Sequence, residues 1–303
     1  MTSDASPTGL RLWVAGARPR TLPAAVVPVV VGTAAVADAD LGDGRGLVAW
    51  RFLAALAVSL CLQVAVNYAN DYSDGVRGTD DERRVGPQRL VGSGLVAPGP
   101  VKRAAVLFLG LAGAIGLALA AAAGWELLIV GAASMAAAWF YTGGSKPYGY
   151  LGLGEVFVFV FFGLVATVGS AYVQVESIRG VALAAAVPVG LVATALLVVN
   201  NLRDIPGDTL VGKRTLAVRL GDDRTRYLYV LLVVGAVVAG AAIAIDRGPW
   251  LLLSMGALAV ARTPMRAVLR GATGPELIPV LGATGRTQLA LGALLSAGLW
   301  LSS

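Results

Sequence analysis

Apolar residues come in long unbroken runs, separated by short stretches that hold nearly all of the charge. Ala104 to Trp125, Val156 to Val175, Val181 to Leu202 and Tyr227 to Ile245 contain no charged residue. Each approaches or passes the ~20 residues that a helix needs to cross a bilayer. Strand-like alternation is absent, which argues against a transmembrane barrel. Apolar runs, flanking charge and Gly/Pro punctuation together predict nine spans, at about 18–37, 50–72, 103–123, 125–142, 153–173, 181–203, 227–245, 249–267 and 286–302. The expected fold class is all-α: a polytopic membrane helix bundle in one domain over 1–303, with loops at about 73–102 and 204–226 forming a cap.

Composition agrees with this reading. The chain is 57% hydrophobic and 14% charged, with a mean hydropathy of +0.75, whereas soluble domains carry roughly a quarter charged residues. The formal charge of +6 does not imply nucleic-acid binding, because the basic residues lie mostly in loops. A cytoplasmic N-terminus leaves only Arg45, Arg51, Arg179 and Arg247 on the far face, which is the positive-inside pattern of a multi-pass cell-membrane protein. The N-terminal residues lack a cationic stretch leading into a cleavable apolar segment, so no removable signal peptide is expected. Cys61 stands alone inside an apolar run, and there are no histidines. Imidazole bases and His-ligated metals are therefore excluded.

Chemistry concentrates at the ends of two apolar runs. Asn67, Asp71 and Asp74 stand at i, i+4 and i+7, on one helix face; Asn200, Asp204 and Asp208 stand at i, i+4 and i+8. A carboxylate in mid-span costs ~2.5–3.5 kcal/mol on insertion scales, so two such clusters call for a compensating cation. Oxygen-only donors suit Mg²⁺, which binds through one or two carboxylates plus substrate phosphates. Each acidic end is followed by a basic, glycine-punctuated segment. Arg77, Arg203, Lys213 and Arg214 can contact phosphate oxygens there. Both clusters fall on the side predicted to be cytoplasmic. A metal-bound diphosphate on a lipid chain is the ligand this combination suggests. Arg20, with Arg18, either anchors the first span at the interface or binds phosphate. Lys146 either snorkels to the interface or, with Tyr141, contacts a substrate anion. Glu155, an acid at the membrane edge, either pairs with Lys146 or orients an acceptor.

Asn67-x3-Asp71-x2-Asp74 with Asp80, and Asn200-x3-Asp204-x3-Asp208, resemble the two aspartate-rich motifs of the UbiA-type intramembrane prenyltransferases. Arg18-Pro-Arg-Thr-Leu-Pro, Asn70-Asp-Tyr-Ser-Asp, Arg84-Val-Gly-Pro, Tyr141-Thr-Gly-Gly-Ser-Lys146-Pro, Gly154-Glu155-Val-Phe and Gly212-Lys-Arg-Thr-Leu-Ala resemble the branch that uses 1,4-dihydroxy-2-naphthoate. The resemblance implies a nine-helix bundle with Mg²⁺ held through Asp71, Asp74, Asp80, Asp204 and Asp208. It implies substrate contacts from Asn67, Asn70 and Asn200. Asp80 departs from the pattern, lying six residues after Asp74 with Gly78 where a stricter spacing has an acid. The implied activity is transfer of a polyprenyl chain from polyprenyl diphosphate to 1,4-dihydroxy-2-naphthoate, with loss of CO₂ and diphosphate, giving a demethylmenaquinol. Phe157, Phe159, Phe161, Phe162 and Trp139 are either packing residues or walls that keep water from the allylic cation. The alternatives are another acceptor, such as 4-hydroxybenzoate or a sugar phosphate, or a cation-coupled transporter.

Overall fold

A computed structural model of the chain describes residues 9–39, 47–79, 86 and 89–303. Among the described residues there is no strand. The helices are α1 (Leu10–Ala17), α2 (Pro23–Ala34), α3 (Ala49–Arg77), α4 (Pro98–Ala123), α5 (Leu127–Phe140), α6 (Gly154–Val175), α7 (Gly180–Leu210), α8 (Leu216–Leu220), α9 (Asp222–Arg247), α10 (Pro249–Leu269) and α11 (Leu277–Leu301). Six of these, α3, α4, α6, α7, α9 and α10, are both long and apolar enough to cross a bilayer. α2 and α5 are apolar but shorter, and α11 carries Arg286 and Gln288 within its first half.

Local sequence explains where the helices begin and end. Prolines open α2, α4 and α10, where the missing N–H is not needed and the fixed φ suits a first turn. α3 stops at Gly78, whose φ of 70° lets the Thr79 N–H turn back to the Asp74 carbonyl at 3.0 Å. That accounts for a glycine where an acid would fit a stricter spacing. Both cap loops are shorter than expected, because α3 runs on to Arg77 and α7 to Leu210. Pro206 lies inside α7; a proline forfeits one i→i−4 bond, and here the helix continues past it. α1 was not expected from the sequence. Its Trp13 ring meets Tyr68 of α3 edge-on at 5.9 Å.

α7 is the central helix. Of its apolar window 61% is buried, against 22–33% in the other five long spans. It packs mainly on α9, with α6 and α11 also against it, while α2 lies between α6 and α11 and α3 packs on α4. α6 and α7 run antiparallel and touch at Gly163 and Gly190, where a Cβ on Gly163 would fall 2.5 Å from the Gly190 Cα. Only glycine permits that approach. The crossing lies within a π-helical stretch of α6, Phe159–Val165. It sets a register in which Glu155, at the start of α6, comes to Asn201 of α7.

Candidate active site

The acidic ends of α3 and α7 are tied together by Lys213, in the turn that follows α7. Its backbone N–H bonds the Asp208 carbonyl at 2.8 Å, and its Nζ reaches Asp74 Oδ2 on α3 at 3.1 Å. Asp74 is 3% exposed. Its Oδ1 accepts the Tyr150 hydroxyl at 2.6 Å, and Arg89 Nη2 stands 3.7 Å from its Oδ2. Tyr150 sits in the turn Tyr148–Leu151, just before α6, and its carbonyl accepts the Arg214 N–H at 3.1 Å. The Lys213 ammonium lies 4.6 Å from the Tyr150 ring centre, and the Arg77 guanidinium 5.6 Å. Burial, then the Asp74 charge, push the Tyr150 phenol above its ordinary range, with Lys213 opposing. Tyr150 thus stays protonated at neutral pH and donates to Asp74. Lys213 and Arg89 flank this buried carboxylate, with Arg77 over the Tyr150 ring, a clustering of positive charge suited to a polyanion.

The other residues of the first motif do different work. Both oxygens of Asp71 accept backbone N–H groups, from Leu90 at 2.8 Å and Val91 at 2.9 Å, fixing the loop after α3. Asn67 Nδ2 donates to the Ala17 carbonyl at 2.8 Å and to Thr21 Oγ1 at 3.0 Å, holding the joint between α1 and α2. Asn70 Oδ1 accepts Thr142 Oγ1 at 2.8 Å. Arg77 donates to the carbonyls of Thr142 and Gly144, at the exit of α5. Asp80 lies outside the described residues.

In the second motif the Arg203 guanidinium forks onto its neighbour: Nε to Asp204 Oδ1 and Nη2 to Asp204 Oδ2, each at 2.7 Å. Nη2 also donates to Asn200 Oδ1 at 2.9 Å. Asp208, one turn on, is half-buried, while the side chains of Arg214 and Arg20 are exposed. Lys146 is exposed in the turn between α5 and α6, and does not pair with Glu155. Glu155 instead accepts Asn201 Nδ2 through Oε1 at 3.0 Å, a partner that burial inside the α6–α7 contact makes available. Its Oε2 has no partner. Tyr141 is half-buried, edge-on to Tyr148 at 5.4 Å, and Phe157 stacks on Tyr148 at 3.9 Å with Phe161 following at 6.0 Å. An aromatic ladder therefore descends from the polar end along α6.

Tyr150, Arg89, Thr142 and Asn201 are the site residues that sequence spacing did not single out. The first three lie in loops, where no helical period marks them. Asn201 had a signal, as the neighbour of Asn200 in the motif. Among the described residues no three acidic or cysteine side chains group closely enough to hold an ion unaided. The donor set, all oxygen and divided between two adjoining helix ends, fits Mg²⁺, which needs only one or two carboxylates when phosphate and water complete its shell.

Comparison with known proteins follows the same lines. The model of the UbiA prenyltransferase family matches residues 25–281. A 1,4-dihydroxy-2-naphthoate octaprenyltransferase of Mycobacterium tuberculosis is 51% identical over 91% of this chain and 92% of its own length. One from Escherichia coli is 38% identical, covering 96% and 95%. Among solved structures, a UbiA homolog from Archaeoglobus fulgidus bound to DMAPP and Mg²⁺ superposes with a TM-score of 0.65 at 14% identity, over 95% of this chain and 98% of that one. That likeness concerns the fold.

Proposed function

Because the chain belongs to the UbiA prenyltransferase family, we propose that the joined ends of α3 and α7 are where it carries out its reaction. The chain transfers a polyprenyl group from polyprenyl diphosphate to 1,4-dihydroxy-2-naphthoate in menaquinone biosynthesis, with loss of diphosphate and CO₂. The observation that carries the site assignment is Lys213, which spans the two acidic motifs and holds a cation beside Asp74 where a diphosphate would lie.

Lys213, Arg77, Arg203 and Arg214 bind diphosphate oxygens, with Arg20 and Lys146 at the rim and Asn67, Asn70 and Asn200 supporting the motif helices. Asp74, Asp204 and Asp208, with Asp71 and Asp80 beside them in sequence, are the carboxylates that would hold Mg²⁺; the ion supplies charge neutralisation to the departing diphosphate. Tyr150 keeps Asp74 aimed at the site. Tyr141, Tyr148, Phe157 and Phe161 flank the apolar descent along α6 and exclude water from the allylic carbon as its C–O bond breaks. The concentration of Lys and Arg on one side supports nine crossings in a single domain over 1–303, with the N-terminus and the active site facing the cytoplasm in the cell membrane.

The deciding assay uses purified protein in detergent with Mg²⁺, an allylic polyprenyl diphosphate and 1,4-dihydroxy-2-naphthoate. Diphosphate and CO₂ should appear in equal amounts, and 4-hydroxybenzoate should not replace the naphthoate. No turnover, together with cation-driven uptake in liposomes, would overturn the reading in favour of a transporter.

A further inference from the structure

Glu155 is a buried carboxyl with one oxygen held and the other unpartnered. It is 6% exposed, its Oε1 is fixed by Asn201 at 3.0 Å, its own backbone N–H also faces the carboxylate, and Oε2 takes no hydrogen bond from any other residue. A buried acceptor without a donor costs about 1–3 kcal/mol, so a fold that keeps one invites the question of what fills it. Its position points to the answer. Asn201 is three residues before Asp204 on α7, roughly 4.5 Å deeper along the helix at 1.5 Å per residue. Glu155 itself is in the first turn of α6, directly after the turn that carries Tyr150. The Tyr141 phenol lies within electrostatic reach of Glu155, Asp74 and Asp208 alike, and the Tyr141 ring packs against Gly154. The free oxygen therefore lies deeper along α7 than the carboxylates of the second motif, near the Tyr141 ring at the head of the aromatic ladder. An acceptor ring reaching the first carbon of a prenyl chain whose diphosphate lay among those carboxylates would come close to this oxygen.

Resting on the prenyl-transfer reading above, we propose that Glu155 Oε2 receives the acceptor's hydroxyl next to its carboxylate, and that Glu155 shuttles that hydroxyl's proton, with Asn201 as the positioning residue. The step balances. As the C–O bond of the donor breaks and diphosphate leaves with its electron pair, the ring carbon bearing the carboxylate forms the new C–C bond. The adjacent O–H gives its proton to Glu155, leaving a β-keto carboxylate. CO₂ departs, its bonding electrons form the enolate, and Glu155 returns the proton to that oxygen. The carboxyl ends as it began, and no oxidant or external acid is used. General acid–base help of this kind contributes typically 10²–10⁴-fold.

The test compares Glu155→Gln with the wild type, using 1,4-dihydroxy-2-naphthoate and its ether methylated at the hydroxyl next to the carboxylate. Gln keeps the contact to Asn201 but accepts no proton. Turnover should fall by about 100-fold, with the KM for polyprenyl diphosphate within about twofold of wild type, and Glu155→Asp should recover part of the loss. Asn201→Ala should lower kcat about tenfold without moving the donor KM; an equal rise in donor KM would overturn its positioning role. The wild type should bind the ether as an inhibitor and not turn it over. A Glu155→Gln rate within about threefold of wild type overturns the proposal. So does wild-type turnover of the ether at near the parent rate, which decides the matter even if the variant fails to bind donor or to fold. Failure of the wild type with the naphthoate itself would instead sink the underlying assignment of function.

Discussion

Both ends of α3 carry charge that reaches across to other helices, yet the two ends are built differently. At its start, Arg51 Nη1 donates to the Val173 carbonyl at 2.9 Å and to Glu176 Oε1 at 2.8 Å, and Nη2 donates to the Ala122 carbonyl at 2.8 Å. Two of those acceptors are carbonyls at the closing turns of α4 and α6, groups a helix leaves without internal partners. Nearby, Gln174 Oε1 accepts the Val48 N–H at 2.8 Å. At the other end of α3, roughly 35 Å away along the helix at 1.5 Å per residue, Asp74 is held by side chains: a lysine, a phenol and, farther off, an arginine. Backbone acceptors cannot leave the helices they belong to, whereas Lys213 and Arg89 can exchange one anion for another. The first end is a fastening; the second is a set of ion pairs that a diphosphate can enter.

The largest effect should come from removing the metal-holding carboxylates. Asp204→Asn, and separately Asp74→Asn, should each lower turnover by at least about 1,000-fold, as expected when stabilisation of the leaving group is lost. Chelation of divalent metal from the wild type should do the same, and readdition of Mg²⁺ should restore it. The unfolding midpoint of Asp204→Asn should also fall, because Asp204 neutralises the buried Arg203 guanidinium, so its rate is measured on the folded fraction well below that midpoint. Near-normal rates in either variant would place the chemistry elsewhere.

Asp71→Ala should combine the two kinds of damage. It strips the acceptors from two backbone N–H groups, those of Leu90 and Val91, at about 1–3 kcal/mol for each buried donor left unsatisfied. Activity and unfolding midpoint should fall together. A loss of activity at unchanged stability would show Asp71 acting purely as a ligand. Lys213→Met should come next, raising the KM for polyprenyl diphosphate by about 10–100-fold, as charge-assisted bonds are worth roughly 1.5–3 kcal/mol. An unchanged donor KM would remove Lys213 from the binding site.

These contrasts also show how far the sequence could be read. The acids were legible because helical spacing displays them: Asn67, Asp71 and Asp74 do share a face of α3. Spacing could not show that the face divides its labour, with Asn67 turned to the α1–α2 joint, Asp71 to the loop after α3, and Asp74 to Lys213. Those partners lie 19 to 139 residues distant, so only the packed chain brings them together. The long apolar spans were legible for the same reason as the acids. α1 was missed because its eight residues are too few for a period to stand out, and the span ending at about 203 falls short of Leu210 because the apolar run, which is what was legible, ends before the helix does. Glu155 stood out as an acid at a membrane edge, but its partner Asn201 depends on the Gly163–Gly190 crossing, which no local pattern announces.

The smallest effect on chemistry should come from the fastened end, and it is the sharpest check on the comparison. Arg51→Met keeps much of the apolar stem and removes the guanidinium, leaving the Val173 and Ala122 carbonyls without their donor. Hydrogen bonds from a charged group contribute about 1.5–3 kcal/mol each when buried. Arg51 is partly exposed and Glu176 more so, at 13% and 54% of their side chains, so the Glu176 pair adds little and the total should be about 2–4 kcal/mol. The unfolding midpoint should therefore drop while kcat and both KM values, measured on the folded fraction well below that midpoint, remain within about twofold of wild type. A fall in kcat at low temperature would mean that strain at one end of α3 is transmitted to Asp74 at the other, and the two ends would then have to be treated as one device.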